Sequence, residues 1–219
     1  MKKILLFIFP LLLIGCKTTI EIPVKLSDFD KKDPSVQIVG LMNMEITSCT
    51  ERGTDMPSDD VFKLQKKIPY IFKGAEYINC YDKNFRSHVL FKLPVNSDNV
   101  KDGKVIDEYM INLNYFPVES ASRLLNIYIP KKLGESINKL IKSNMYINAS
   151  DIAITLEIDP EGYKFPFTAI GVYIDGSPVQ MDSYHSDGEK FKITIPTYGL
   201  HRMLNDEVFI LMLNTKYRK

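Results

Sequence analysis

The sequence predicts an α+β fold, mostly antiparallel β-sheet with two or three helices packed on it. Three observations carry that expectation. Apolar and polar residues alternate with period two in many short runs. In the first, Ile20, Ile22, Val24 and Leu26 alternate with Thr19, Glu21, Pro23, Lys25 and Ser27, the pattern of a strand with one buried face. The runs are separated by Gly, Pro, Asn and Asp, the residues that turn a chain. Only a few stretches have helical spacing, and these begin at recognisable caps or prolines.

Pro23 has no N–H to give to a ladder, which places the first strand at an edge or makes it irregular. Val36 to Ile46 suits a second strand. Ser58 then offers an N-cap, Asp59 and Asp60 put negative charge in the first turn, and Val61, Phe62, Leu64 and Ile68 form an apolar stripe that Pro69 ends. Strands follow near 76–81 and 85–93. In the second of these, Phe85, Ser87, Val89, Phe91 and Leu93 share one face, and Arg86, His88 and Lys92 share the other. The remainder reads as strands near 104–116 and 122–129, a helix near 131–143, strands near 151–158, 166–174 and 189–195, a short helix near 198–204 and a last strand near 207–213. Asp175-Gly176 is a hairpin signal, with Ser177-Pro178 extending the turn.

Two passages are alike: Ile127-Tyr128-Ile129-Pro130 leads into one helix and Ile193-Thr194-Ile195-Pro196 into another. One organisation of 16–219 is therefore an N-terminal part, 16–83, followed by two similar β-β-β-α units in 84–219. Equally, a strand that stops at a proline and passes into a helix is ordinary, because proline is tolerated in a first helical turn. Both remain open.

The N-terminus is not part of this body. Met1-Lys2-Lys3 is positively charged and is followed by an apolar run from Ile4 to Ile14, broken only by Pro10. A membrane span needs roughly 20 apolar residues, whereas the apolar region of a signal peptide needs about 7 to 15. Residues 1–15 therefore read as a signal peptide. Their end, Leu13-Ile14-Gly15-Cys16, resembles the lipobox of bacterial lipoproteins. The resemblance implies recognition of Leu13, Ile14 and Gly15 by the lipoprotein signal peptidase, cleavage before Cys16, and a diacylglycerol on the Cys16 thiol. Lys17 stands where Asp marks retention in the inner membrane of Gram-negative lipoproteins. It implies the periplasmic face of the outer membrane, or the cell membrane of a host that has only one. The following stretch, Cys16-Lys17 through Val24-Lys25-Leu26-Ser27-Asp28-Phe29, resembles uncharacterised lipoproteins encoded in bacterial prophages, which implies no enzymatic activity and a role at the surface of a lysogen.

Removing residues 1–15 takes away two of the 28 basic residues, Lys2 and Lys3, and none of the 27 acidic ones. A nearly neutral exported region has neither the basic stripe of a nucleic-acid binder nor the polybasic cluster that binds anionic lipid. Cys49 and Cys80 remain as an even pair in a compartment where disulfides persist. A disulfide is expected, the alternative being two buried thiols that behave as small apolar residues.

Catalytic motifs are missing from the sequence: no G-x-S-x-G, no H-E-x-x-H, no phosphate-binding glycine loop, no clustered Cys/His ligands. Asp98 to Gly103 invites comparison with a calcium loop, but Val100 fills a ligand position and Tyr109 stands where the closing Glu is needed. That stretch reads as a turn. No metal and no cofactor are expected. His88 lies on a polar strand face, His185 in the polar turn Asp182 to Gly188, and His201 on a short helix. Tyr109 to Phe116 and Tyr163 to Phe167 read as core or cross-strand aromatics rather than a binding strip. The leading expectation is thus a lipid-anchored, non-enzymatic lipoprotein with a partner protein in the envelope. One alternative is a hydrolase built on His185 or His201. Another is a carrier of a lipid or small apolar ligand, which requires a deep apolar cavity.

Overall fold

The structure is a computed structural model that describes residues 17–29, 37–98, 108–117, 122–143, 151–204 and 209–214. Leu13, Ile14, Gly15 and Cys16, and the turn expected at 99–103, lie outside the described residues. In chain order the elements are β1 (Thr18–Lys25), a 3-10 turn (Leu26–Phe29), β2 (Gln37–Ile46), α1 (Asp59–Ile71), β3 (Glu76–Lys83), β4 (Arg86–Asp98), β5 (Ile111–Pro117) and β6 (Ser122–Tyr128). They continue with α2 (Lys131–Ser143), β7 (Ile152–Asp159), β8 (Pro166–Ile174), β9 (Ser177–His185), β10 (Phe191–Ile195), α3 (Thr197–Leu204) and β11 (Phe209–Asn214).

All these strands join one curled sheet in the order β10-β7-β1-β2-β4-β5-β6-β11-β8-β9, with β3 paired to β4. The fold is β-rich with helices packed on it, as expected; the sheet is mixed, with most neighbouring strands antiparallel and two pairs parallel. β1 runs parallel to β7 along its whole length, Thr18 opposite Ile152 through Lys25 opposite Asp159, and β4 runs parallel to β5. Parallel neighbours cannot be joined by a tight turn, and β1 meets β7 only after more than half of the chain has been laid down.

Ile20, Ile22, Val24 and Leu26 are all buried, none above 3% exposed, so the chain enters the sheet directly after Lys17. β1 is not at the sheet edge. Thr18–Glu21 pair with β2 on one side and β7 on the other, but from Ile22 onward only β7 pairs with the strand. Pro23 falls in this one-sided stretch, where its missing N–H leaves no gap against β2.

The curl closes through β8. Phe167 and Thr168 pair with β11, whereas Tyr173 and Ile174 pair with β10. Between them lies Gly171 with φ +65, a left-handed value that a side chain disfavours. Burial changes phase there, from Phe167 and Ala169 to Val172 and Ile174, so the glycine re-aims the strand from one neighbour to the other. Asp175 and Gly176, both with positive φ, form the two-residue turn into β9. Ser177 and Pro178 already belong to that strand rather than extending the turn. Pro178 is accommodated because β9 is the last strand of the sheet. The strands before α2 and α3 pair differently: β6 lies beside β5, whereas β10 lies between β7 and β8. The division at 83/84 falls within the β3–β4 hairpin, and one continuous core runs through the described residues.

The helices gather at the end of the sheet where β1 begins. Ile137 and Leu140 of α2, Leu200 of α3, and Phe72 after α1 surround Ile20, Met42, Met44 and Ile154. The apolar space left among them is about 20 Å³, the room of a single water. At the opposite end the Glu161 carboxylate accepts hydrogen bonds from the Ser27 N–H and hydroxyl, each at 2.7 Å. Asp159 accepts from the Glu161 N–H at 2.9 Å, a bond that holds its carboxyl below the usual carboxylate range.

α1 begins at Ser58 as expected, but Pro69 lies inside it rather than ending it. The helix forgoes the bond that a Pro69 N–H would have made. Ile68 and Ile71 are buried beneath the last turn, and the Phe72 N–H closes it onto the Ile68 carbonyl at 2.8 Å. Ser58 Oγ accepts from the Val61 N–H at 3.4 Å and donates to the Ser48 carbonyl at 2.6 Å. Ser58→Ala therefore removes both a helix cap and a tie to the preceding loop. We expect a loss of about 1 to 2 kcal/mol, read as a lower urea midpoint with an unchanged slope. A loss well under half of that would show the cap to be idle.

Candidate functional site

Where β1 begins, the outward faces of four adjacent strands form a polar groove of about 420 Å³. Local sequence builds it. Asn84 and Phe85, with φ 52 and 61, make a two-residue hairpin turn that pairs Lys83 with Arg86 and Tyr81 with His88. Positive φ at both central positions matches the twist of the flanking strands. On the same face β2 presents Asn43 and Glu45, with Glu45 opposite His88, and β1 presents Thr19 beside Lys17.

The groove floor is fastened by polar contacts. Glu45, only 8% exposed, accepts from Arg86 Nη1 at 2.8 Å, a charge-assisted bond that compensates its burial. Asn43 Nδ2 donates to the Tyr81 hydroxyl at 2.8 Å, while Asn43 Oδ1 is buried without a hydrogen-bond partner. The Tyr81 and His88 rings stack at 5.3 Å. His88, expected simply on a polar strand face, is thus half-buried in a built surface. Ser87 beneath it is buried and donates to Asp82 at 2.6 Å. Phe85, expected on the buried face of β4, instead occupies the turn and projects entirely into solvent at 109% exposure.

Cys49, in the loop after β2, is joined to Cys80 of β3, with their Cα atoms 5.6 Å apart. The expected disulfide is present. It ties the loop that leads to α1 onto the hairpin strand carrying Tyr81 and Lys83.

A second hollow, of about 470 Å³, lies at the far end of β9 and contains His185, Ser186, Asp187 and Glu189. It is organised as a turn. Ser186 is buried, its hydroxyl donating to the Tyr163 carbonyl at 3.4 Å and accepting from the Gly188 N–H at 3.2 Å. Asp187 accepts from the Glu189 N–H at 2.9 Å. Among the described residues His185 has no hydrogen bond to either side chain. His201 is exposed on α3 and lines neither hollow. No group of three or more His, Cys, Asp or Glu among the described residues is arranged to hold a metal ion, and no helix there is long and apolar enough to cross a membrane.

The aromatic segments divide. Phe165 and Phe167 are buried and Phe167 stacks on Phe191 at 5.0 Å, whereas Tyr163 is partly exposed; Ile111 and Leu113 are buried, whereas Tyr109 lies under Lys132 at the surface.

These features define a β-rich, disulfide-bonded domain that carries a mixed-charge groove beside the point where the chain enters the sheet. The chain belongs to a family described as a domain of unknown function, DUF7424, whose pattern matches residues 18–216, starting at the first residue of β1. No match was found among curated proteins or among solved structures.

Proposed function

We propose that the protein is an exported lipoprotein, held by a lipid on Cys16, whose domain binds a protein partner or has a structural role at the cell envelope and catalyses no reaction. The observation that carries this reading is the direct succession of Leu13-Ile14-Gly15-Cys16 and the buried strand β1, with only Lys17 between. A flexible linker of about twenty residues would let a domain range roughly 25 Å from its anchor. Here no such linker follows Cys16, so the partner is confined to the zone next to the bilayer. Lys17 favours the periplasmic face of the outer membrane in a Gram-negative host, and the cell membrane in a host with only one.

Three further observations support the reading. The Cys49–Cys80 disulfide suits an oxidising compartment outside the cytosol. The Ser186 hydroxyl is engaged by the Tyr163 carbonyl and the Gly188 N–H rather than by His185. Among the described residues, the apolar space between the helices and the end of the sheet is about 20 Å³, the room of a single water. Crosslinking in intact cells, followed by purification of the lipidated protein from membranes, tests the binding role. The expected product is a discrete crosslinked species containing one envelope protein, lost when the groove is altered by Glu45→Lys. Recovery of uncrosslinked monomer alone would count against a protein-binding role.

A further inference from the structure

We propose that the tip of the β3–β4 hairpin is a second membrane contact, with Phe85 seated in the interfacial layer of the bilayer and Lys83 beside it at the lipid phosphates. The inference rests on the lipoprotein reading, because that reading places the bilayer at the beginning of β1. The strand register then sets the height of the hairpin. The Lys17 carbonyl accepts from the Glu45 N–H at 2.9 Å, and Glu45 stands opposite His88. From His88 the hairpin runs three residues further to Phe85, about 10 Å at the usual strand rise. Cys16 is bonded to Lys17, and consecutive Cα atoms are about 3.8 Å apart. A lipid on Cys16 therefore holds the sheet so close to the headgroups that the hairpin tip reaches them or passes below.

Phe85 itself is unexplained by the fold. Its φ of 61 is the left-handed conformation that disfavours any residue with a Cβ, and hairpin turns of this kind usually have glycine there. Its ring is fully in water, so it adds nothing to the core. A strained backbone carrying a bare aromatic ring at the tip of a hairpin is compensated if the ring enters an apolar layer. An apolar ring such as that of Phe buries at the boundary of headgroups and acyl chains, with cationic side chains beside it at the phosphates. Lys83 and Arg86 flank the tip, and the aromatic residue is single, as suits an auxiliary contact beside covalent lipid rather than an independent anchor.

The protein has no tryptophan, so Phe85→Trp introduces a single reporter. The mature lipidated protein carrying this change is reconstituted into vesicles of phosphatidylethanolamine and phosphatidylglycerol, with and without phospholipids brominated along the acyl chains. Tyr163→Trp serves as the comparison. Tyr163 follows Pro160 at the far end of β7, with its N–H on the Pro160 carbonyl, about 25 Å of strand away from Lys17. We expect the indole emission of the Phe85→Trp protein to shift to shorter wavelength and to be quenched by the brominated lipid, while that of the Tyr163→Trp protein is unchanged. If the vesicles carry both proteins but the reporter at position 85 is quenched no more than the one at position 163, the tip stays in water and the inference is wrong, with the anchor intact. If the protein without either change fails to float with the vesicles, the anchor reading fails and the inference with it.

Discussion

Replacing Cys16 with Ala is expected to abolish the cleaved, lipid-bearing form of the protein and leave only uncleaved precursor or soluble domain. The size of the effect follows from the lipid. Each buried methylene is worth about 0.8 kcal/mol, one acyl chain holds a protein only marginally, and two or more hold it stably. Thiol-linked diacylglycerol supplies two chains at once, so its loss changes residence on the membrane from nearly complete to dependent on weak contacts. The hairpin tip would be such a contact, since one aromatic ring cannot substitute for two acyl chains. Gel mobility separates the uncleaved precursor, which keeps its apolar segment from Ile4 to Ile14 and stays with membranes, from the soluble domain, and flotation of the shorter form measures the lost anchorage. A variant that is still cleaved before residue 16 and still floats quantitatively would remove the basis for the anchor.

Joint replacement of Cys49 and Cys80 by Ala should give the largest loss of stability. The disulfide closes a loop with a sequence separation of 31 that encloses the whole of α1. Opening a loop of this length enlarges the unfolded ensemble by about 3 to 4 kcal/mol on the chain-entropy account. A domain of this size loses roughly 2 to 4 °C of Tm per kcal/mol, so a fall of about 10 °C is expected. Reducing agent should lower the Tm of the native protein towards that of the variant and leave the variant unmoved. Thiol labelling gives an independent check. Reaction of both Cys49 and Cys80 in the denatured, unreduced protein would contradict the bond itself.

The half-buried strands were legible because one-sided burial writes a period of two into the sequence. Ile20, Ile22, Val24 and Leu26 are the clearest case, and the Ser58 cap and the start of α2 after Pro130 were legible for similarly local reasons. What stayed hidden depends on distant pairing. Alternation is the same whether a strand's neighbour runs parallel or antiparallel, so nothing near Thr18 announces Ile152 as its partner. Only the turn that leads into β9 is legible in the sequence, since an outer strand that includes exposed Gln180, Ser183 and His185 has little apolar periodicity. Phe85 is ambiguous in sequence, because its spacing from Val89 and Phe91 fits the buried face of β4 while its backbone belongs to the turn. A turn at Asn84-Phe85 would have placed Tyr81 opposite His88 and exposed the groove in advance. The signal proposed at Leu13 to Cys16 works the other way: a processing signal would be read by enzymes along an extended chain, so its pattern stands in the sequence without any fold.

Lipid anchoring at Cys16 is tested most directly by the mass of the N-terminal peptide of the mature protein purified from membranes. This peptide is predicted to start at Cys16 and to carry a diacylglycerol on the thiol, with or without an acyl group on the new amine. A peptide that starts at any other residue, or one with an unmodified Cys16, would contradict that prediction.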